Sequence, residues 1–323
     1  MSMMNQLWYK KTSLSLLLLP ASFIYAVIAW LRRIYLQKLK QAHFSVPIIV
    51  VGNLTLGGAG KTPLVIALAK AFEKRGLKVG IVSRGYGARG HFPREVTLGD
   101  KPADVGDEPL LIFKKTGCPV VVAPKRVQAV RYLILHHQPQ VILSDDGLQH
   151  YAMGRAIEIA VIDGVRGLGN GLMFPAGPLR ERANRLKSVD FIVANSGEWK
   201  DAYRMNLIAS DITALVSGKV VMPKDLITPV AAVAAIGHPE RFYKTLDDLG
   251  LKYNAYAFAD HYAFTPEDLI FKEKTIVMTE KDAVKCIGFA TDNMFVLPVT
   301  AELDESFWHA LWSHKQLKEV LSI

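Results

Sequence analysis

Short runs of aliphatic and β-branched residues recur along the chain, each followed by a longer stretch of helical period. Residues 47–53, 78–83, 119–123, 140–146, 157–163 and 189–195 read as strands. Their near-continuous apolar character suits strands buried on both faces of a parallel sheet, not the alternation of a half-exposed one. Residues 64–75, 110–116 and 126–137 read as helices between them. After a linker near 210–228 the alternation restarts, with strands at 230–236, 253–258, 275–279 and 294–299 and a closing helix at 304–320. Alternating strand and helix predicts an α/β fold. At 323 residues the chain exceeds one ordinary domain. The expected organisation is two α/β/α domains, 41–215 and a smaller 216–323, preceded by a helical segment within 1–40.

That first segment departs from the pattern. Residues 12–31 carry no charged side chain, and a helix of that length covers about 30 Å, the hydrocarbon thickness of a bilayer. Trp8, Tyr9, Trp30 and Tyr35 stand at its two ends, where amphipathic rings favour the headgroup zone. Pro20 is expected to kink the helix. The formal charge of +9 is concentrated here: Lys10, Lys11, Arg32, Arg33, Lys38 and Lys40 flank the run, with no acid before residue 46. Local excess around an apolar run points to an anionic membrane surface and not to nucleic acid. A spanning helix and one lying in the interface both fit, and a buried core helix is the plainer alternative. The length of the run and its basic flanks on both sides disfavour a cleaved signal peptide. Two cysteines, Cys118 and Cys286, make no disulfide framework, which suggests a reducing compartment.

The first strand runs into Thr55-Leu56-Gly57-Gly58-Ala59-Gly60-Lys61-Thr62 and then a helix. Strand, glycine-rich loop, Lys-Thr and helix are the context of a P-loop, so the first domain is expected to carry a P-loop NTPase-like parallel sheet. Backbone amides close around phosphate oxygens there, and the helix N-terminus adds its positive end. Lys61 is placed to neutralise the β and γ phosphates of ATP, and Thr62 to ligate Mg²⁺. Thr55 stands where the usual pattern has its first glycine. Asp145 and Asp146 end a strand in the manner of a Walker-B acid, although Asp-Asp-Gly is also good turn chemistry. The metal set read from the sequence is Thr62, Asp145, Asp146 and Glu181. Arg180 reads either as a stabiliser of phosphoryl charge or as a surface arginine.

Other motifs are less decided by spacing. Gly85, Gly87 and Gly90 have the spacing of a dinucleotide fingerprint, but Pro93 follows where a helix should start, so a loop over a ligand is the better reading. Asp107, in Val-Gly-Asp-Glu-Pro, reads as a helix N-cap or as a chemically active carboxylate. His261, taken singly, is an ordinary histidine. Thr279-Glu280-Lys281-Asp282 lacks the Asn-Lys-x-Asp order of a guanine reader, which weighs against a GTPase switch. The intact Lys61, Thr62, Asp145 and Asp146 weigh against a non-catalytic lipid-binding scaffold.

In chain order, TLGGAGKTP, SRGYG, VGDEP, SDDGLQH, GPLRE, GHPERF, DHYAF and TEKDAVK closely resemble the lipid A 4′-kinase (tetraacyldisaccharide 4′-kinase) family over nearly the whole sequence. Thr55 in place of glycine agrees with that resemblance. It implies transfer of the γ-phosphate of ATP, with Mg²⁺, to the 4′-hydroxyl of a tetraacylated glucosamine disaccharide 1-phosphate, at the cytoplasmic face of the bacterial inner membrane. It also implies that Asp107 and His261 form a catalytic pair with Asp107 as general base, joined by Lys61 and Arg180. Tyr86, Arg126, Gln149 and His150 then match lipid-headgroup positions. No nucleic acid is expected, and no protein partner is implied.

Overall fold

The computed structural model describes residues 8, 9 and 13–321. Lys10, Lys11 and Thr12 of the basic and apolar N-terminus lie outside the described residues. Two sheets organise the rest. The larger has nine strands and is centred on β1 (Ile48–Gly52). On one side of β1 lie β5 (Val141–Ser144), β2 (Val79–Ser83), β4 (Val120–Val122) and the short edge strand β3 (Arg94–Glu95). On the other lie β6 (Ile157–Asp163), β7 (Phe191–Asn195), β8 (Tyr203–Ala209) and β15 (Val299–Leu303). Every pairing is parallel except those of the two edges, β3 with β4 and β15 with β8.

The unbroken apolar character of β1 follows from burial on both faces. Ile49 and Val51 enter one core with Leu64, Leu68 and Phe72 of the helix Lys61–Lys74. Ile48 and Val50 enter the opposite core with Ala129, Val130 and Leu133 of the helix Arg126–His137. Period-two alternation along the strand thus sends apolar side chains into both cores, and neither face tolerates a charge.

The smaller sheet contains β11 (Val230–Ala234), β12 (Tyr253–Ala257), β13 (Ile276–Thr279) and β14 (Met294–Leu297) in parallel, extended by antiparallel β9 (Ile212–Ala214) and β10 (Val220–Val221). This corrects the expected boundary at 216–323. The second lobe is built from residues 212–297, and the chain after Pro298 returns to the first sheet. Val299 pairs with Ala209, and Phe307, Leu311 and Leu317 join the same core as Phe72. The run 294–299 reads as one strand from its composition, but it changes sheets at Pro298, which has no amide to donate to a ladder. The two crossings are adjacent, since the Ser210 amide donates to the Pro298 carbonyl at 2.9 Å.

At the N-terminus Pro20 does not kink one long helix. A short helix, Ser13–Leu17, ends before it, and the helix Leu19–Leu39 carries the proline in its first turn, where no amide partner is needed. Among the described residues this is the one helix long and apolar enough to cross a membrane. It is not a core helix. Ser22 is buried against the body, donating to the Met173 carbonyl at 2.9 Å and accepting from the Ala176 amide at 3.0 Å, and the Tyr25 hydroxyl donates to the Arg180 carbonyl at 3.3 Å. Phe23, Ile24, Ile28, Trp30 and Leu31 are all more than half exposed.

Candidate active site

The phosphate loop is held open by its backbone. Gly57 has φ of +105° and Gly60 +92°, values that an L side chain rarely adopts. Gly60 immediately precedes the helix Lys61–Lys74, and no side chain caps that helix. Its first-turn amides are therefore available to an anion. A β-carbon on Gly60 would also lie 2.3 Å from Asn195 Nδ2, the group that donates to the Ala59 carbonyl at 3.0 Å.

Beyond the loop, β5 leads into Asp145 and Asp146. Asp146 adopts φ of +47°, which turns its carboxylate toward the loop. There it lies 3.5 Å from Lys61 Nζ and accepts from Arg180 at 3.0 and 3.2 Å. Burial opposes its charge, but Lys61, Arg180 and Arg126 outweigh burial and hold the carboxyl far below its ordinary range. Asp145 differs. It is buried, and neither carboxylate oxygen has a hydrogen-bond partner among the described residues. Burial, and then the charge of Glu108, push it up to about 7.

Unpartnered buried carboxylate oxygens beside a phosphate loop fit a divalent cation, whose charge would reverse that rise. Among the described residues no three His, Cys, Asp or Glu side chains group as a metal cage. That suits Mg²⁺, which is held by one or two carboxylates together with substrate phosphates. Glu181 has its Oε2 engaged and its Oε1 buried without a hydrogen-bond partner among the described residues. It accepts from the Tyr151 hydroxyl and lies 3.6 Å from Arg185 and 3.8 Å from Arg33.

Asp107 is the first residue of the helix Asp107–Thr116 and not its cap; Gly106, at φ of +94°, holds the cap position. The carboxylate is buried, accepts the Glu108 amide at 2.9 Å, and meets His261 Nδ1 at 3.0 and 3.1 Å. His261 comes from the second lobe and sits at φ of +62°, with its ring centroid 5.1 Å from that of Tyr86. Burial raises the Asp107 pKa, but the hydrogen bond from His261 and the charge of Lys281 overcome it, and the net shift is downward. His261 moves upward, first through its bond to Asp107.

A single cleft of about 1970 Å³ joins these parts. Leu56–Thr62, Tyr86, Asp107, Arg126, Asp146, Gln149, Arg180, Glu181 and His261 all line it, as do Phe23, Val27 and Trp30 of the N-terminal helix. Thr55, Asp145 and His150 are not in the lining. His150 is pushed down to about 3 by burial and by Arg126, Arg155, Arg32 and Arg84, so its ring is neutral at physiological pH. Gln149 donates to the Asn53 carbonyl at 3.1 Å, and Arg126 donates to the Asp145 carbonyl at 2.8 Å.

Sequence reasoning missed three contributors, two of them reaching from the second lobe to the first. Asn195 packs on the loop, Arg241 pairs with Asp163 at 2.7 Å, and Lys281 reaches the Asp107–His261 pair. Arg241 and Lys281 lay in segments already singled out, GHPERF and TEKDAVK, whereas Asn195 did not.

A loop whose amides receive phosphates, facing a buried carboxylate that can receive a proton, places the chain among the P-loop phosphotransferases. Residues 14–316 match the family described as Tetraacyldisaccharide-1-P 4′-kinase, LpxK, and the chain belongs to that family. It is 54% identical over 315 residues to the tetraacyldisaccharide 4′-kinase of Legionella pneumophila (strain Lens), covering 97% of this chain and 98% of that one. It is 46% identical over 308 residues to the protein of the same name from Alcanivorax borkumensis, covering 93% of each. An LpxK from Aquifex aeolicus, solved in complex with ATP, superposes with a TM-score of 0.77 at 27% identity, over 95% of this chain and 99% of that one.

Proposed function

We propose that this chain is an ATP-dependent kinase that transfers the γ-phosphoryl group to the 4′-hydroxyl of a tetraacylated glucosamine disaccharide 1-phosphate in lipid A synthesis. The observation that carries the reading is the meeting of Asp107 and His261 in a cleft with the phosphate loop on one side and an exposed apolar helix on the other.

A sugar hydroxyl is a poor nucleophile at neutral pH, so its proton must leave as it attacks phosphorus. Asp107 takes that proton, while His261 orients its carboxylate. Lys61, released from Asn53 and Asp146, places its charge on the transferring phosphate, and Arg180 adds a second cation. Thr62, Asp145 and Asp146 would hold Mg²⁺, which when bound neutralises phosphate charge. Tyr86, Arg126, Gln149 and His150 are assigned to the headgroup end. Tyr86, Arg126 and Gln149 line the same cleft as Asp107, and His150 follows Gln149 in the chain.

The helix Leu19–Leu39 serves as a membrane seat for an acylated acceptor, at the cytoplasmic face of the bacterial inner membrane. Its contacts to the body along one side favour lying in the interface, with Phe23, Ile24, Ile28 and Leu31 among the acyl chains. Incubation with labelled ATP and the disaccharide lipid should give a doubly phosphorylated product; ATP turnover without product in detergent micelles overturns the reading.

A further inference from the structure

The TEKDAVK segment is the most distinctive stretch with no chemical task so far. Three of its polar residues are occupied in building the fold. Thr279 caps the helix Glu280–Cys286. Glu280 pairs with Lys115 at 2.5 Å and accepts the Val299 amide at 3.1 Å. Buried Asp282 accepts the Ala235 amide at 2.9 Å.

Lys281 is placed differently. Its Nζ lies 3.0 Å from Glu108 Oε1, 3.2 Å from Asp260 Oδ1 and 3.3 Å from His261 Nε2, with Asp107 Oδ2 at 3.9 Å. Its side chain is only 16% exposed. Glu108 and Asp107 belong to the first lobe, and Asp260 and His261 to the second. An ammonium has three N–H donors and no lone pair. Toward Nε2 it can only donate, so Nε2 must present its lone pair. The one proton of the neutral ring then sits on Nδ1, where the Asp107 carboxylate accepts it at 3.0–3.1 Å.

We infer that Lys281 is a positioning residue that occupies Nε2 of His261 and holds the ring as a neutral Nδ1–H imidazole beside Asp107. This rests on the reading of Asp107 as the base. An imidazolium on Asp107 would hold the carboxylate in a tight ion pair and weaken its pull on the acceptor's proton. A neutral ring orients the carboxylate without a full opposing charge. The charges facing the ring are Asp107, Glu108 and Lys281 from the packed helices and Asp260 from its own turn, with the Tyr86 ring alongside; Lys285 adds its charge at Asp107. Asp107 favours a second proton on His261 and the net shift is upward, while Lys281 opposes it and limits the rise.

The test is nitrogen NMR on the full chain with labelled histidine, followed by pH–rate profiles. In the parent, on the basic side of the His261 titration, Nε2 should show the resonance of an unprotonated nitrogen and Nδ1 that of a protonated one. In Lys281→Met Nε2 should take up a proton, with the titration moved upward on the order of one pH unit. The acidic limb of turnover should move with it. Lys281→Arg, which also donates and cannot accept, should largely restore both. Should Lys281→Met fail to fold, Lys281→Gln removes the charge and should shift the titration in the same direction. An unchanged His261 titration in a folded Lys281 variant overturns the inference, whatever happens to rate. Full turnover in Asp107→Asn would instead remove the base reading while leaving the nitrogen resonances interpretable.

Discussion

His261 Nδ1 lies 3.0 Å from Asp107 Oδ2, although the two residues are 154 positions apart and come from different lobes. The contact exists only when the second lobe rests on the first. On the reading of Asp107 as the base, its chemistry requires this seating of the lobes, which would keep water from competing for the phosphoryl group.

If the two side chains act as one unit, as proposed, their losses should not add. Asp107→Asn should lower turnover roughly 10²–10⁴-fold, the range of a general base, with ATP KM nearly unchanged. His261→Gln should fall in the same direction, and the double variant should be little worse than the poorer single one. A double-mutant cycle on turnover decides this, and additive losses would separate the pair.

Lys61→Ala removes a cation from the transferring phosphate. Turnover should drop roughly 10²–10³-fold, as for loss of one preorganised donor. Its melting temperature should change little, because among the described residues the Lys61 ammonium makes its polar contacts with Asn53 and Asp146, at 3.3 and 3.5 Å. Steady-state kinetics with a thermal melt checks both.

Two glycines of one loop should respond differently. Gly60→Ala meets Asn195 and a left-handed backbone together, so it should lower the melting temperature by several degrees, about 1–3 kcal/mol. A β-carbon on Gly58 meets nothing within 4 Å, and Gly58→Ala should melt within roughly 0.5 kcal/mol of the parent. Equal melting of the two would remove the steric argument.

The His261 pKa is raised above its ordinary 6.5. The folded state therefore holds that proton more tightly than the unfolded chain, a contribution complete below about pH 6.5 and lost as pH rises through the folded value. The lowered Asp107 value acts oppositely, contributing above its ordinary 3.8 and failing as pH falls through the folded value. The deficit in melting temperature of His261→Gln relative to the parent should accordingly be larger near pH 6 than near pH 9 (roughly the two sides of that titration). Paired thermal melts across that range provide the comparison.

Phe23→Asp and Ile28→Asp each place a charge on the exposed apolar face of the N-terminal helix. If that face enters lipid, each loses about 1.5–3 kcal/mol of burial, so binding to anionic vesicles should fall at least about tenfold. Turnover on a short-chain soluble acceptor should persist. Vesicle sedimentation beside that assay tells the two apart.

How much of this was legible beforehand depended on range. The central strands, the phosphate loop and the Asp145–Asp146 turn are local patterns, and the structure places them as the residues imply. The helix at Asp107 begins three residues earlier than its apolar run, because Pro109 sits comfortably in a first turn. Sheet membership was not local. Nothing in the β-branched character of Met294–Leu297 and Val299–Leu303 says that they pair in different sheets. The partners of Lys281 were equally hidden, since they come from two distant segments, Asp107–Glu108 and Asp260–His261.

The return of the chain to the first sheet also sets an order of manufacture. A ribosome releases the phosphate-loop strands early, then the whole insert of residues 212–297, and only afterwards β15 and the helix Glu305–Trp312. The insert has all its strands in hand before the older part has its last one, so the nucleotide-binding half, begun first, is finished last. Until Phe307 and Leu311 arrive, Phe72 on the back of the phosphate-loop helix lacks part of its cover. Chains ending at Pro298, after β14 and before β15, should therefore keep a folded small lobe and lose the larger one to proteolysis.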